Sequence, residues 1–386
     1  MMKKKKIAVV FGTRPDAIKS APVLKELAND RSAFTVVPIV TAQHREMLDQ
    51  VLKTFRIRPR HDLNIMRHGQ SLASITGRSI GPLDALFSRL RPDMVLVQGD
   101  TTTTFVAALA AFYGRIPVGH IEAGLRTNDS ANPFPEEMNR RLTSAIATLH
   151  FAPTETACHA LMKEGIDRKK IFITGNTVID ALRMAVKSSH RFTDARIRRF
   201  VASHQKIVLV TMHRRENWGE PMRIASQAIA RIAREHPGAQ IVIPMHKNPD
   251  VRLLLRAGLS GIPNVLLCEP LAYGDFVNLM AASHFILTDS GGIQEEAPSL
   301  GKPVLVLRTV TERPEAVASG GVRLVGLDEE RIVRGAQELF ADQGAYARMS
   351  SAVNPYGDGC ASERIAQIIR HHFGISASLP HEFKPA

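Results

Sequence analysis

The sequence predicts an α/β protein with two doubly wound, Rossmann-like domains built on parallel sheets. Short β-branched runs alternate with helical stretches, which is the pattern of repeated β–α units. Two such series occur, separated by a segment over 188–205 that is poor in apolar residues and rich in Arg and His. We therefore expect domains over 1–180 and 181–361, a helix over 362–375 that packs back on the first domain, and a loose tail over 376–386.

The predicted strands are short apolar runs. In the first series they cover 7–11, 34–40, 94–98, 116–121 and 149–152, and in the second series 207–211, 240–244, 265–267, 285–288, 304–306 and 323–325. The first-series helices are predicted over 17–28, 46–53, 72–90, 104–113, 136–147 and 156–164. Strands that alternate with helices in this way place their carboxyl ends at one edge of a sheet, where α/β proteins bind ligands.

The composition is that of a globular protein, with 386 residues of which 44% are hydrophobic and 23% charged. No apolar run is as long as a membrane span, and the run after Lys3–Lys6 is too short for a signal peptide. A net charge of +13 raises the possibility of nucleic-acid binding. However, the basic residues are spread along the chain and aromatic residues make up only 5%, which leaves few platforms for base stacking. We expect neither a nucleic-acid partner nor a membrane partner.

Cysteine usage and motif content bear on compartment and cofactors. Cys158, Cys268 and Cys360 lie far apart and form no Cys-x-x-Cys pair, which favours a reducing, cytoplasmic location. The sequence contains no cluster with metal-ligand spacing and no Gly-x-Gly-x-x-Gly fingerprint. We therefore expect no metal and no cofactor.

Three acids are candidates for proton transfer. Asp100 and Glu122 each come directly after a predicted strand of the first series, and Glu136 opens a predicted helix. Acids gathered at one edge of a sheet suit general acid–base work. Structural alternatives are that Asp100 caps a helix and that Glu136 forms a helical ion pair with Arg140 at i+4.

The turn after the first strand is a candidate anion site. Gly12 permits a tight turn into a helix, whose N-terminus offers unpaired N–H groups and the positive end of a dipole. Arg14 and Lys19 would add positive charge there. The turn lacks the second glycine and the Gly-Lys-Ser/Thr ending of a Walker A loop, and a plain strand–turn–helix remains the alternative.

The second series offers a stronger phosphate signal. Ser290, Gly291 and Gly292 follow a predicted strand and open a helix, so backbone N–H groups can approach a diphosphate closely. Glu296 is placed to accept hydrogen bonds from ribose hydroxyls. His213 follows another strand of this series and is flanked by arginines, which favours contact with an anion over a purely structural role.

Together these motifs resemble the non-hydrolysing UDP-N-acetylglucosamine 2-epimerases of bacteria. The resemblance runs from Gly12-Thr13-Arg14-Pro15 to Asn354-Pro355-Tyr356-Gly357-Asp358-Gly359. It implies a GT-B-like fold with a deep cleft between the domains, a cytoplasmic homodimer, and interconversion of UDP-GlcNAc and UDP-ManNAc for cell-surface polysaccharide synthesis. The implied mechanism is elimination of UDP to 2-acetamidoglucal, followed by re-addition.

The resemblance also implies roles residue by residue. The implied acid–base residues are Asp100, Glu122 and Glu136, with His213 near the diphosphate. The implied UDP-sugar contacts are Arg14, Lys19, Arg140, Phe276 (against uracil), Ser290, Gly291, Gly292, Glu296 and Arg313. Part of a second, activating UDP-GlcNAc pocket is implied by Gln43, Arg214 and His246. Glu46 and Gly69 stand where activated members have Gln and Arg, which argues against activation by substrate.

Three other functions remain open at this stage. A hydrolysing relative would use the same acids and release ManNAc and UDP. A GT-B glycosyltransferase would share the glycine-rich loop but not the three acids. A non-catalytic nucleotide-sugar sensor would not need the acids at all.

Overall fold

The structure is a computed structural model, which describes residues 3–43, 45–67, 69–203 and 205–385 but not the side chain of Glu46. The chain divides into two compact units. The first unit combines Met1–Met184 with Tyr356–Lys384, and the second unit is Ala185–Pro355 together with Pro385–Ala386.

The first unit is built on a seven-stranded parallel sheet. Its strands are β1 (Lys5–Phe11), β2 (Phe34–Val40), β3 (His61–Asp62), β4 (Met94–Gln98), β5 (Val118–Ile121), β6 (Leu149–Ala152) and β7 (Ile171–Ile173). They lie in the order β3-β2-β1-β4-β5-β6-β7. The strand order reverses between β1 and β4, so a switch point of the kind that binds ligands lies at their carboxyl ends.

Helices cover both faces of this sheet. They are α1 (Arg14–Asn29), α2 (Arg45–Phe55), α3 (Leu72–Leu90), α4 (Thr102–Tyr113), α5 (Glu136–Ile146), α6 (Glu155–Lys163) and α7 (Thr177–Ala185). Because helices lie on both sides, every residue of β4 and β5 is buried, which explains why these strands are nearly continuous apolar runs.

The second unit repeats the plan with six strands. They are β8 (Ile207–Thr211), β9 (Gln240–Pro244), β10 (Val265–Cys268), β11 (Phe285–Thr288), β12 (Val304–Val306) and β13 (Val322–Leu324), in the order β10-β9-β8-β11-β12-β13. The helices are α8 (Ala195–Ala202), α9 (Glu220–Glu235), α10 (Pro249–Leu259), α11 (Tyr273–Ala282), α12 (Gly291–Glu296), α13 (Pro314–Ala318), α14 (Glu329–Ala341) and α15 (Gln343–Ser350). Pairing is parallel throughout the described strands, so the predicted fold class is confirmed.

The C-terminal part of the chain packs on the first unit. Helix α16 (Ala361–His372) contacts α1, and at its start Ser362 donates its backbone N–H and its hydroxyl to the buried Asp180 carboxylate, at 2.7 and 2.6 Å. The expected loose tail is partly ordered instead. Phe383 is buried, and its N–H donates to the carbonyl of Ile173 at 2.8 Å, next to the end of β7.

The segment over 188–205 also differs from the expectation of a plain surface stretch. It contains α8, and both Phe192 and Ile197 are buried. Asp275 binds its first half, since the carboxylate accepts from the N–H of Thr193 and lies 2.6 Å from His190 Nε2. None of the helices that the structure describes is long and apolar enough to cross a membrane.

Candidate active site

The turn after β1 is held by a buried carboxylate that sequence reasoning did not single out. Asp16 accepts hydrogen bonds from the Thr13 hydroxyl at 2.7 Å and from the N–H groups of Gly12 and Thr13 at 3.3 Å. It also accepts from the Thr101 hydroxyl at 3.1 Å, which links the start of α1 to the start of α4. Burial raises the pKa of Asp16 to about 6. Thr13 and Asp16 have the spacing of a helix capping box, and this spacing could have indicated the role of Asp16 from the sequence.

Gly12 is required here by packing rather than by a left-handed turn. A Cβ at this position would lie 2.2 Å from Thr41 Oγ1 and 2.3 Å from Thr103 Oγ1. These two hydroxyls hydrogen-bond to each other at 2.8 Å. The ends of β1 and β2 and the first turn of α4 are therefore in close contact, with no room for a larger residue at position 12.

Glu122 is the most restrained of the three predicted acids. Its φ of +63° is unusual for a residue with a Cβ, and such strain is concentrated at functional sites. The side chain is buried and accepts hydrogen bonds from Gln98 and, at 3.1 Å, from Asn176. The ammonium of Lys19 forms an ion pair with the same carboxylate. Donors from three separate elements thus fix the direction in which this acid points.

Gln98 and Asn176 were missed by sequence reasoning. Gln98 is the last residue of a predicted buried strand, and a polar residue at that place was a usable signal. Asn176 reaches Glu122 from 54 residues along the chain, and no local pattern indicates such a contact.

Asp100 is held by an arginine rather than used as a helix cap. Arg140 donates from Nη2 at 2.6 Å and from Nε at 3.0 Å to Asp100 Oδ2. Thr101 provides the cap of α4, because its hydroxyl accepts from the N–H of Thr104. Both structural alternatives are therefore wrong: Asp100 is not the cap, and Arg140 pairs with Asp100 and Glu137 instead of Glu136.

Glu136 and Glu137 are adjacent acids with different surroundings. Glu137 is fully buried and accepts from the N–H groups of Thr127 and Asn128 at 3.0 and 3.3 Å. Burial alone would raise the pKa of Glu137, but these hydrogen bonds and that from Arg141 hold it below its usual value. Glu136 is partly exposed, and its carboxylate has no hydrogen bond or ion pair within the described ranges.

A buried histidine supports the loop between β4 and α4. His120 Nε2 lies 2.7 Å from the carbonyl of Gly99, the residue before Asp100. Burial lowers the pKa of His120 to about 3, so the ring is neutral, and it must donate because a carbonyl can only accept. His120 therefore contributes to the position of Asp100 without itself carrying charge.

In the second unit, His213 lies against a buried acid. His213 Nδ1 is 3.1 Å from Oδ1 of Asp289, the residue directly after β11. Asp289 Oδ2 accepts from the N–H groups of His213 and Arg214, both at 2.9 Å, and from Asn217 Nδ2 at 3.1 Å. Burial opposes ionisation, yet the His213 side chain and these N–H groups hold the pKa of Asp289 below its usual value.

The predicted phosphate loop forms the first turn of α12. Ser290 is its N-cap residue, and its N–H donates to Thr288 Oγ1 at 2.9 Å. A Cβ added at Gly291 would come no closer than 3.6 Å to another atom, and one at Gly292 no closer than 3.9 Å. The protein's own packing therefore does not require glycine at either position, in contrast to Gly12.

The basic residues around this loop are paired with acids. Arg313 forms an ion pair with Glu295, which is buried, whereas Glu296 ends α12. Arg214 Nη1 lies 3.9 Å from Glu312 Oε1. Both guanidinium groups therefore have an acidic neighbour within their own unit.

Two further predicted contact residues lie at the starts of helices. Phe276 is partly buried in the first turn of α11, and Arg14 is the first residue of α1. The His246 ring lies 6.3 Å from that of His213, centroid to centroid. Burial and the neighbouring His213 lower the pKa of His246.

Residues of the implied activator pocket have internal partners or lie outside the description. Gln43 is buried and its Oε1 accepts from the Thr103 hydroxyl at 3.0 Å. Gly69 has a φ of +65°, a conformation that favours glycine. The side chain of Glu46 lies outside the described part of the chain. Among the described residues, no group of three or more His, Cys, Asp or Glu side chains is placed to hold a metal ion.

Comparison with known proteins identifies the family of this chain. A family model described as UDP-N-acetylglucosamine 2-epimerase matches residues 25–370. The UDP-N-acetylglucosamine 2-epimerase of Bacillus subtilis (strain 168) is 53% identical over 384 residues, 99% of each chain. The S. aureus MnaA–UDP co-structure is 46% identical with a TM-score of 0.88 and covers 98% of this chain and 100% of that one. The Neisseria meningitidis UDP-GlcNAc 2-epimerase bound to UDP-GlcNAc is 50% identical with a TM-score of 0.83, over 94% and 99% of the two chains. This chain therefore belongs to the UDP-N-acetylglucosamine 2-epimerase family.

Proposed function

We propose that the protein interconverts UDP-GlcNAc and UDP-ManNAc at C2 without releasing the sugar, by eliminating UDP and adding it back. The observation that carries this proposal is the set of acids on the first unit, with Glu122 strained and fixed by three donors and Asp100 fixed by Arg140. Such restraint fixes the direction in which each acid points, which suits proton transfer at a defined atom. Relatives solved with UDP and with UDP-GlcNAc support the substrate class.

The chemistry needs two kinds of group. The C2 proton is not acidic by itself, so cleavage of the C1–O bond must run ahead of its removal. Loss of that proton and of UDP gives 2-acetamidoglucal. UDP then adds back at C1 while a proton reaches the opposite face of C2. The reaction therefore needs acid–base groups for C2 and stabilisation of charge on the leaving diphosphate.

We assign these two tasks to different units of the chain. Proton transfer belongs to Asp100, Glu122 and Glu136. Of the three, Glu136 is the acid whose oxygens have no partner in the described ranges, which suits a group that must gain and lose a proton. We assign the diphosphate to His213 and to the loop Ser290–Gly292, where the glycines leave room for a close approach. Because the N–H of Ser290 already donates to Thr288 Oγ1, the backbone donors of this loop would be the N–H groups of Gly291 and Gly292.

The remaining contacts are assigned from the resemblance. We place uracil against Phe276, the ribose hydroxyls at Glu296 and further phosphate oxygens at Arg313, Arg14 and Lys19. Because Lys19 is already paired with Glu122, it would connect the anion site to the acid–base site. We further propose that the protein acts in the cytoplasm and that its product supplies ManNAc-type units for cell-surface polysaccharide.

We also propose that the protein is a homodimer that associates through helices of the first unit. Large apolar side chains are exposed on two of these helices, with Phe112 57% and Tyr113 64% exposed on α4 and Met138 and Leu142 exposed on α5. Exposed apolar groups concentrated on neighbouring helices indicate a binding surface. Sedimentation of the wild type and of Phe112→Asp tests this, because a monomeric wild type would contradict it.

The function is tested by proton NMR of the purified protein with UDP-GlcNAc in D2O. We expect UDP-ManNAc to form and deuterium to enter C2 of both sugars. Free ManNAc and UDP as the main products would assign the protein to the hydrolysing type instead. No change in UDP-GlcNAc would contradict the proposal and favour a transferase or a sensor.

A further inference from the structure

We infer that Asp289 is the positioning residue of His213: it holds the imidazole with its proton on Nδ1 and joins the histidine loop to the phosphate loop. This inference rests on the proposed function for its catalytic consequence. Its structural content, the orientation and protonation of one ring, does not depend on turnover. Neither the sequence pattern nor the resemblance assigned a role to Asp289.

The first step is the charge of Asp289. This side chain is fully buried, and an isolated carboxylate in such a place would become neutral. Here three N–H groups converge on Oδ2, from the backbone of His213, the backbone of Arg214 and the side chain of Asn217, at 2.9, 2.9 and 3.1 Å. Such donors keep the carboxylate ionised.

The second step concerns the histidine ring. An ionised carboxylate can only accept hydrogen bonds, so the nitrogen that faces it must carry the proton. His213 Nδ1 lies 3.1 Å from Asp289 Oδ1, a buried oxygen that accepts no well-aligned hydrogen bond from the described residues, so we place the proton on Nδ1, where it can serve that oxygen. Nε2 has no partner within the described residues, and about two fifths of the side chain (41%) is exposed. The ring thus presents Nε2 away from Asp289.

The third step concerns the place of Asp289 in the chain. Its side chain fixes the backbone at His213 and Arg214, and the three residues that follow it are the phosphate loop Ser290–Gly292. The same residue therefore sets the position of the imidazole relative to the backbone donors of that loop. If the UDP diphosphate binds there, the loop N–H groups, together with His213 Nε2 once it holds a proton, meet the charge that develops on the leaving oxygen.

A measurement without substrate tests the positioning. The protein is labelled with ¹⁵N-histidine, and long-range ¹H–¹⁵N correlation spectra are recorded near neutral pH, with the His213 signals identified by their loss in His213→Gln. We expect Nδ1 of His213 to carry a proton in the wild type, and we expect the Nδ1 signal to change in Asp289→Asn. A wild-type ring that is neutral and protonated on Nε2 would overturn the inference. The wild-type spectrum tests the inference even if Asp289→Asn does not fold.

Kinetics test whether Asp289 acts through the histidine. Loss of one donor to a developing oxyanion costs about 10²–10³-fold in kcat, so that range is expected for His213→Gln. Asp289→Asn is expected to lower kcat by at least about tenfold while the Kd of UDP changes by less than about threefold. The double variant should be within about threefold of His213→Gln alone, because the two residues act as one unit. Losses that multiply in the double variant would overturn the inference.

A matched control separates positioning from general destabilisation. Thr211 and Thr288 share a buried hydrogen bond of 2.6 Å between β8 and β11, next to both loops, and Thr211 is not part of the proposed site. Thr211→Val should lower the melting temperature but leave the His213 spectrum unchanged. An equal spectral change in Thr211→Val would contradict a specific role for Asp289. If the wild type gives no UDP-ManNAc, the proposed function fails while the spectrum still tests the positioning.

Discussion

Replacing the buried carboxylate of Asp16 should change how stability depends on pH. The pKa of this carboxylate is about 6 in the folded chain, against 3.8 as its ordinary value, because burial disfavours the charged form. The folded state therefore holds the proton more tightly than the unfolded state does. The stability contributed by the protonated group is complete below about pH 4 and is lost as the pH rises through about 6.

The size of the effect follows from the two pKa values. A shift from 3.8 to about 6 corresponds to about 3 kcal/mol at pH 8, where Asp16 is ionised in both states. At pH 5 the loss of folding stability caused by ionisation of Asp16 is roughly half of its value at pH 8. In Asp16→Asn the titration is absent, and the loss of hydrogen bonds to Gly12, Thr13 and Thr101 is the same at every pH. Relative to the variant, the wild type should thus lose roughly 1–2 kcal/mol between pH 5 and pH 8.

Urea denaturation followed by circular dichroism at pH 5, 6, 7 and 8 measures this difference. Asp194→Asn is a control without a slope in this range, because the hydrogen bond from Arg196 holds the pKa of Asp194 below its usual value of 3.8 and its contribution to stability is complete above about pH 5. The difference in stability between the wild type and that variant should therefore stay constant from pH 5 to pH 8. If the stability curves of wild type and Asp16→Asn run parallel from pH 5 to 8, the raised pKa of Asp16 is refuted.

The other predictions concern the proposed site. Asp100→Asn, Glu122→Gln and Glu136→Gln should each lower kcat by at least about a hundredfold and leave UDP binding intact, and near wild-type turnover in any of them would remove that residue from the acid–base set. Phe276→Ala should mainly weaken UDP binding measured by calorimetry, and an unchanged Kd would contradict stacking on uracil. Gly292→Ala should melt within a few degrees of the wild type, since its Cβ would meet nothing closer than 3.9 Å, yet bind UDP at least about tenfold more weakly. Equal affinity would mean that no phosphate approaches this backbone.

Much of the fold could be predicted because its strands are buried on both faces. Strands such as β4 and β8 appear in the sequence as continuous apolar runs between turn residues, and both lie where they were predicted. Helix α3 also has the predicted bounds. The elements that were missed are short or amphipathic. β7 has three residues, and α8 is rich in arginine and buries only Ile197, so neither carries a strong periodic signal.

Part of the candidate site could be predicted because ligand-binding residues of α/β proteins lie at the carboxyl ends of strands. Asp100, Glu122, His213 and Ser290 come directly after strands or one residue beyond, and that rule located them all. This rule does not predict which other side chains form hydrogen bonds or ion pairs with these residues. Arg140 reaches Asp100 from 40 residues away and Asn176 reaches Glu122 from 54. Such contacts are products of the assembled fold, and one sequence contains no local pattern that indicates them.

The adjacent pair Glu136 and Glu137 explains why residue type alone is insufficient. Both are acids in the first turn of one helix, where a negative charge is favourable at either position. Glu137 faces the loop before the helix, and its carboxylate is fully occupied by Thr127, Asn128 and Arg141. Glu137 is fully buried, and these hydrogen bonds join it to the loop before its own helix and to Arg141, so its carboxylate stabilises the start of the helix. Glu136 lies about 100° further around the helix and has no such commitment in the described ranges. The helical period turns the two side chains in different directions. Glu137 therefore points at the loop before the helix and stabilises the helix start, whereas Glu136 points away from that loop and is the acid that we assign to proton transfer.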